Sequence, residues 1–142
     1  MYRLLFFAVL TVSVFGEIPS SVLAEQDLQK RSDLALQEAD EEISAAAKAY
    51  SPGAATKDFE KHLADAGELA QLSLKSLQES GKRARKQPKY FKRAELKLRG
   101  LLRRLDSLEK DVLVEDRPPV AKAKTVFTEV HEQILLDIMS PK

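Results

Sequence analysis

The sequence predicts an all-α protein, folded as an up-down-up-down bundle of four helices. Apolar residues recur every three or four positions over four long stretches, which is the period of a helix with one buried face. Short segments that contain Pro or Gly separate these stretches. Only five aromatic residues follow residue 24, and Ala and Leu dominate the apolar residues, a composition that favours helices over β-sheet. The alternative is an elongated helical hairpin that completes its core by dimerising.

The first 24 residues are typical of a secretory signal peptide. Arg3 precedes an apolar run of thirteen residues, 4–16, and the segment ends in the small residue Ala24, which signal peptidase accepts. A membrane-spanning helix needs about 20 apolar residues, so this run is short for an uncleaved anchor, which is the alternative. We therefore expect residues 1–24 to be a cleaved secretory signal peptide and residues 25–142 to form a single helical-bundle domain.

The composition of the remaining chain indicates its compartment. It contains no Cys, so no disulfide stabilises it in an oxidising environment, and no Asn, so it has no N-glycosylation acceptor. These two absences favour a bacterial envelope over a eukaryotic secretory route. The expected localisation is periplasmic or secreted, with no transmembrane segment once the signal peptide has been cleaved.

The first two helices are predicted at residues 26–50 and 56–80. Pro52 and Gly53 end the first, because Pro lacks the N–H that a continuing helix requires and Gly relaxes the backbone. Thr56 can cap the free N–H groups at the start of the second. The positions expected to face the core are Leu28, Ala35, Leu36, Ala39, Ile43, Ala46, Ala47, Tyr50, Phe59, Leu63, Ala66, Ala70, Ser73 and Leu77.

The third and fourth helices are predicted at residues 88–113 and 118–139. Pro88 suits a first helical turn, and Asp116 is expected to cap the fourth helix. Apolar residues of the third helix alternate steps of three and four over three heptads, a coiled-coil seam that requires a partner helix. The positions expected to face the core are Phe91, Ala94, Leu98, Leu101, Leu105, Leu108, Val112, Val120, Ala123, Phe127, Val130, Ile134 and Ile138.

The sequence contains no recognisable catalytic or cofactor motif. Its two histidines, His62 and His131, are expected about 10 Å apart along helices that run the same way, too far apart to share a metal. It has no Glu-x-x-His spacing, no glycine-rich phosphate loop and no Cys. We therefore expect no enzyme activity, no cofactor and no metal. His131 is interpreted as a core histidine hydrogen-bonded to a neighbour, and Tyr50 as a ring on the bundle end with its hydroxyl in water.

Charge is nearly balanced over the whole chain but strongly segregated along it. Residues 25–80 carry 12 acidic and 6 basic residues, a net charge of −6. Residues 81–104 carry 11 basic residues and one acid, Glu95, a net charge of +10. Residues 105–142 carry 8 acidic and 5 basic residues, a net charge of −3. The basic segment is therefore the most informative part of the chain for function.

This basic segment holds the candidate binding residues. On a helical wheel, the bases of the third helix cover the face opposite its seam, with Gly100 among them. One interpretation is a solvated face that also pairs with the acidic first half. The other is docking on anionic envelope material, such as lipid head groups, lipopolysaccharide or acidic glycans, where each base contributes about 1 kcal/mol. The candidates are Lys82, Arg83, Arg85, Lys86, Lys89, Lys92, Arg93, Lys97, Arg99, Arg103 and Arg104.

Together these observations predict an exported, non-enzymatic helical-bundle protein of the cell envelope, with an interaction or structural role. The expected partner is an anionic envelope surface or another envelope protein, and a homodimer is also compatible with the sequence. Nucleic acid is a poor candidate because export removes the chain from cytosolic DNA and RNA. A small periplasmic chaperone or stress adaptor is the alternative function, and a haem- or metal-binding bundle is a further one.

Overall fold

The computed structural model describes residues 18–53, 57–80, 84 and 86–139. These residues form α-helices and one 3-10 turn, with no β-strand among them, and the predicted all-α class is thereby confirmed. The long helices begin and end within two residues of their predicted bounds. The helices are α1 (Ser20–Ala24), α2 (Leu28–Ala49), α3 (Lys57–Glu79), α4 (Pro88–Asp111) and α5 (Pro118–Met139), and the 3-10 turn is Val114–Asp116.

Some of the sequence predictions fall on residues outside this described part. They are the apolar run at 4–16, the capping residue Thr56, and the loop residues Lys82, Arg83 and Arg85. Within the described part, none of the helices is both long enough and apolar enough to cross a lipid bilayer.

Local signals set the ends of several helices. The Asp27 side chain accepts hydrogen bonds from the backbone N–H groups of Gln29 (3.0 Å) and Lys30 (3.2 Å), which would otherwise lack partners at the start of α2. Pro88 lies in the first turn of α4, as predicted, where its missing N–H costs nothing. After α2 the backbone at Gly53 has a positive φ of 77°, which side-chain-bearing residues rarely adopt.

Each long helix packs against two of the others. α2 packs extensively on α3, α3 also packs on α5, and α4 packs on both α5 and α2. The consecutive helices α3 and α4 touch only slightly, and α2 does not touch α5. The order of neighbours around the core therefore differs from the simplest bundle, in which every helix lies beside the next one in sequence.

Two polar contacts show that α2 and α3 run in opposite directions. The hydroxyl oxygens of Ser32, near the start of α2, and Ser73, near the end of α3, lie 2.6 Å apart in the buried interface. Farther along α2, Glu42 Oε2 lies 2.7 Å from Nδ1 of His62, which is near the start of α3. The short connection between the two helices thus joins them as an antiparallel hairpin.

The predicted seams form the core, with two exceptions in α2: Ala47, in the last turn, is exposed, and Leu28, at the first residue, is only partly buried and outside the core cluster. Every seam residue predicted for the last two helices is buried except Ile138, which is partly buried and packs against the core. The largest fully buried side chains are the two rings Phe59 and Phe127 and ten aliphatic residues. The residues that join this core without having been predicted are Val22, Leu69 and Ala84.

The segment before α2 is attached to the same core. Val22 of α1 is only 1% exposed, within the core cluster. The Arg31 side chain donates hydrogen bonds to the backbone carbonyls of Glu25 (2.8 Å) and Leu23 (3.2 Å). The predicted signal-peptide boundary after Ala24 stays a prediction. Cleavage there would remove Val22 from the core and one of the two carbonyls that Arg31 binds.

Candidate functional site

Helix α4 presents its basic residues on the side opposite its buried seam. The seam faces α2 and α5, so the bases point away from the core. Lys86, just before the helix, is also exposed. The predicted binding residues that the structure places on this exposed face are Lys89, Lys92, Arg93, Lys97, Arg99, Arg103 and Arg104.

Two of these bases pair with acidic residues of α2. Arg93 Nη1 lies 3.0 Å from Asp33 Oδ2. Arg104 forms an ion pair with Asp40 and donates a 2.7 Å hydrogen bond from Nη2 to the Ser44 hydroxyl. Because the earlier residue of α2 meets the earlier residue of α4, these two helices run in the same direction. The predicted pairing of the basic face with the acidic first half thus occurs along the edge that faces α2.

A third base is held by an acid of its own helix. Arg99 donates from Nη2 and Nε to the two carboxylate oxygens of Glu95, at 2.7 Å and 3.0 Å. Nε2 of His131 in α5 lies 2.8 Å from Glu95 Oε2. His131 is therefore hydrogen-bonded to a neighbour, as predicted, although its side chain remains 17% exposed. The buried role of Glu95 was not predicted from the sequence.

Glu95 is 7% exposed, and its surroundings shift its acidity. Burial raises the pKa of its carboxyl, because a charge is poorly solvated away from water. Hydrogen bonds and positive charge from His131 and Arg99 outweigh burial and hold the pKa below its usual value of 4.5. The only acid of the basic segment is therefore stabilised in its ionised form, where it joins α4 to α5.

Four further bases of α4 have no acidic partner in the described part of the chain, whereas Lys110 pairs with Asp106 of the same helix at 3.3 Å. Lys92, Lys97 and Arg103 are exposed and form no ion pair there. Nζ of Lys89 lies 5.2 Å from the centroid of the Tyr90 ring, within the range of a cation–π contact. Arg93 and Arg104 thus pair with α2 along one edge, where Lys97 is unpaired, and the outward part of the basic face is free.

The free outward part also contains an exposed leucine. Leu96 is 59% exposed and lies, at 100° per residue, within about 40° of both Lys92 and Arg103 around the helix. Gly100 follows one turn later, and a Cβ added there would meet nothing within 4 Å. We define the outer strip as Lys89, Lys92, Leu96, Gly100 and Arg103. The wheel position of Leu96 could have identified it from sequence.

The two histidines have separate partners. His62 contacts Glu42 of α2, and His131 contacts Glu95 of α4. No group of three or more His, Asp or Glu side chains in the described residues is arranged to hold a metal ion. Neither histidine contact therefore extends into a larger ligand set in that part of the chain.

Tyr50 corrects two sequence predictions. Its hydroxyl does not point into water, because it donates to Asp116 Oδ2 at 2.7 Å and accepts from the Leu113 N–H at 2.9 Å. The observed partners of Asp116 are Tyr50 and the Gly53 N–H (3.4 Å), so its side chain joins two loops instead of capping the fourth helix. The Tyr50 ring also packs on Phe59, with centroids 5.2 Å apart. The partners lie more than sixty positions from Tyr50, beyond the reach of local sequence rules.

A groove of about 680 Å³ lies between α3 and α5, at the end of the bundle that holds the 3-10 turn. Its floor is mostly apolar, and a Cβ added at Gly67 would lie 3.4 Å from Val126, an ordinary van der Waals distance. Acidic side chains are among the residues that line it. The residues that define it most clearly are Glu60, Leu63, Gly67, Glu115, Pro118, Lys122, Ala123 and Val126.

Comparison of the chain with models of known protein families, with curated proteins and with solved structures gives no match. The fold and the surface define its class, an all-helical protein with a segregated basic face. Its function is therefore inferred from geometry and charge alone.

Proposed function

We propose that this protein is an exported, non-enzymatic helical-bundle protein that binds anionic material of the cell envelope through α4. The observation that supports the proposal is the division of the basic face. Arg93 and Arg104, on the edge directed toward α2, are paired with acids, whereas Lys92 and Arg103, which point outward, have no such partner in the described residues. Lys97, which lies beside Arg104 around the helix, is also unpaired there. Solubility alone does not require unpaired bases to be collected on one helix. On sequence grounds, we also expect the bases Lys82, Arg83, Arg85 and Lys86, which precede α4 in the chain, to contribute to binding.

The geometry suits a flat or extended anionic partner. Lys89 and Arg103 are separated by 14 residues of helix, about 21 Å at 1.5 Å per residue. Each base near an anionic surface contributes about 1 kcal/mol, so the three bases of the outer strip together supply about 3 kcal/mol. Salt at about 0.1 M screens exposed charges over about 10 Å, and binding should therefore weaken as salt rises.

The proposed topology is a four-helix bundle in which α2 and α4 run one way and α3 and α5 run the other. The contacts between α2 and α4, and the burial of the seams within one chain, support this arrangement. An elongated hairpin that dimerises would instead leave a seam uncovered in the monomer. A single species of monomer mass in sedimentation equilibrium supports the bundle, and a dimer that unfolds on dilution supports the hairpin.

The test of binding is co-sedimentation with anionic vesicles. The double substitution Lys92→Glu with Arg103→Glu is expected to abolish binding, because it reverses two free bases without breaking an internal pair. The control is the double substitution Lys48→Glu with Lys75→Glu, which changes the net charge of the chain by the same amount but lies on α2 and α3. It should leave binding intact. Arg99 is unsuitable because it holds Glu95. If both double variants bind as the unmodified chain does, the proposed surface is wrong.

Export has its own test. The apolar run at 4–16 supports it, and cell fractionation followed by N-terminal sequencing measures it directly. Recovery of the intact N-terminus in the cytosolic fraction alone would contradict export without bearing on the vesicle result.

The chaperone alternative is favoured by one observation, the groove between α3 and α5. Its apolar floor can receive an apolar segment of a client, and Glu60 and Glu115 are among its lining residues. This function predicts that the protein suppresses aggregation of a denatured client, and that Val126→Glu removes this effect. Suppression that is unchanged in Val126→Glu would exclude the groove as the binding site.

A further inference from the structure

Resting on the proposed function, we infer that the anionic partner is a lipid bilayer, on which α4 lies parallel to the surface with Leu96 inserted among the head groups. The exposed leucine is the observation that selects a bilayer. Anionic glycans and polyphosphates offer charge but no apolar phase. A bilayer interface offers both, and helices that lie on it combine bases with apolar side chains.

Leu96 stands at the centre of the bases. It is seven residues from Lys89 and seven from Arg103, so cations lie about 10 Å to either side along the helix. Around the helix it falls between Lys92 and Lys89, at about 40° from the first and about 20° from the second. When these bases contact lipid phosphates, the leucine is the side chain directed into the membrane.

Gly100 favours the same orientation. It lies one turn beyond Leu96 on the outer strip and presents no side chain, and its surroundings are open. The backbone of α4 can therefore approach the head groups beside the inserted leucine. A single apolar side chain with a few bases gives reversible, salt-sensitive attachment, unlike a membrane-spanning helix.

The chain offers a matched control for the leucine. Leu136 of α5 is 58% exposed, almost the same as Leu96, and lies on a different helix, outside the outer strip. Because both side chains are exposed, Leu96→Ala and Leu136→Ala should fold as the unmodified protein does, which circular dichroism checks. The chain that begins at Glu17 keeps every described residue and lacks the apolar run, which would bind lipid by itself.

The experiment compares three binding partners for each variant. They are vesicles of phosphatidylcholine with phosphatidylglycerol, vesicles of phosphatidylcholine alone, and soluble heparin. We expect Leu96→Ala to bind the mixed vesicles about tenfold more weakly, equivalent to about 1.4 kcal/mol, or roughly two buried CH₂ groups. Leu136→Ala should bind them unchanged, and neither substitution should alter heparin binding.

Insertion has a spectroscopic test, because the chain contains no tryptophan. Leu96→Trp should show a blue-shifted emission and quenching by brominated lipid when mixed vesicles are added, whereas Leu136→Trp should show neither. If Leu96→Ala binds the mixed vesicles as the unmodified chain does, and both still bind heparin, the lipid inference is wrong. The proposed function is unaffected by that result. Absence of binding to both mixed vesicles and heparin overturns both.

Discussion

Replacement of Glu95 by Gln should lower the free energy of unfolding by about 2 kcal/mol. The carboxylate is buried and accepts hydrogen bonds from Arg99 and contacts His131. A hydrogen bond to a charged group contributes about 1.5–3 kcal/mol. The Arg99 side chain is 51% exposed, so water can solvate it when the ion pair is lost. Its contribution to stability is therefore small, and most of the loss in Glu95→Gln comes from the His131 contact.

The loss of stability in Glu95→Gln should become smaller as the pH falls. Burial raises the pKa of Glu95, but His131 and Arg99 outweigh it and hold the pKa below 4.5 in the folded protein. A carboxyl with a depressed folded pKa contributes stability above its unfolded pKa, and this contribution is lost as the pH falls through the folded pKa. The difference in free energy of unfolding between the unmodified protein and Glu95→Gln is therefore fully present at neutral pH and vanishes in acid.

Urea unfolding followed by circular dichroism measures this difference at several pH values. Glu132→Gln, an exposed carboxyl of α5 with no ion pair in the described residues, is the control and should change stability by less than about 0.5 kcal/mol. Equal stability of Glu95→Gln and the unmodified protein at neutral pH would refute the reasoning. So would a loss of the same size in acid, because packing and not charge would then be its cause.

Three further predictions concern stability and use thermal or urea unfolding. Tyr50→Phe should cost about 1–3 kcal/mol because it leaves the buried Asp116 carboxylate and a backbone N–H without their partner, and an unchanged midpoint would contradict this. Gly100→Ala should add about 1 kcal/mol, since the position is open and Ala favours the helix, whereas a loss would show an unseen contact. A chain that begins at Glu25 should be less stable than one that begins at Glu17 by about 1.5–3 kcal/mol through loss of Val22, and equal stability would favour the boundary after Ala24.

The helices and their buried faces could be predicted because local rules set them. The seam from Phe91 to Val112 alternates steps of three and four, and burial follows directly from that spacing. Pro88 likewise predicts the start of α4, because its fixed φ and missing N–H suit a first helical turn whatever lies around it. Leu69 was missed because it lies at the side of the α3 stripe, where it becomes buried only through the neighbouring helices.

The pairing of the basic face could not be read in the same way. Arg93, Arg103 and Arg104 all lie on the outward half of the helical wheel, yet Arg93 and Arg104 meet acids of α2 and Arg103 does not. What separates them is which helix lies beside α4, and periodicity carries no information about neighbours. The contact between Tyr50 and Asp116 has the same origin, since it joins loops brought together only by the assembled bundle.

The order of neighbours around the core has a consequence for the folding reaction. The hairpins α2–α3 and α4–α5 close over short stretches of chain, whereas α2 and α4 meet across about sixty residues, so the hairpins should form before they dock. Docking brings residues 25–80, of net charge −6, against residues 81–142, of net charge +7. Opposite charges accelerate such encounters and salt slows them, so refolding of this chain should be slower at high ionic strength.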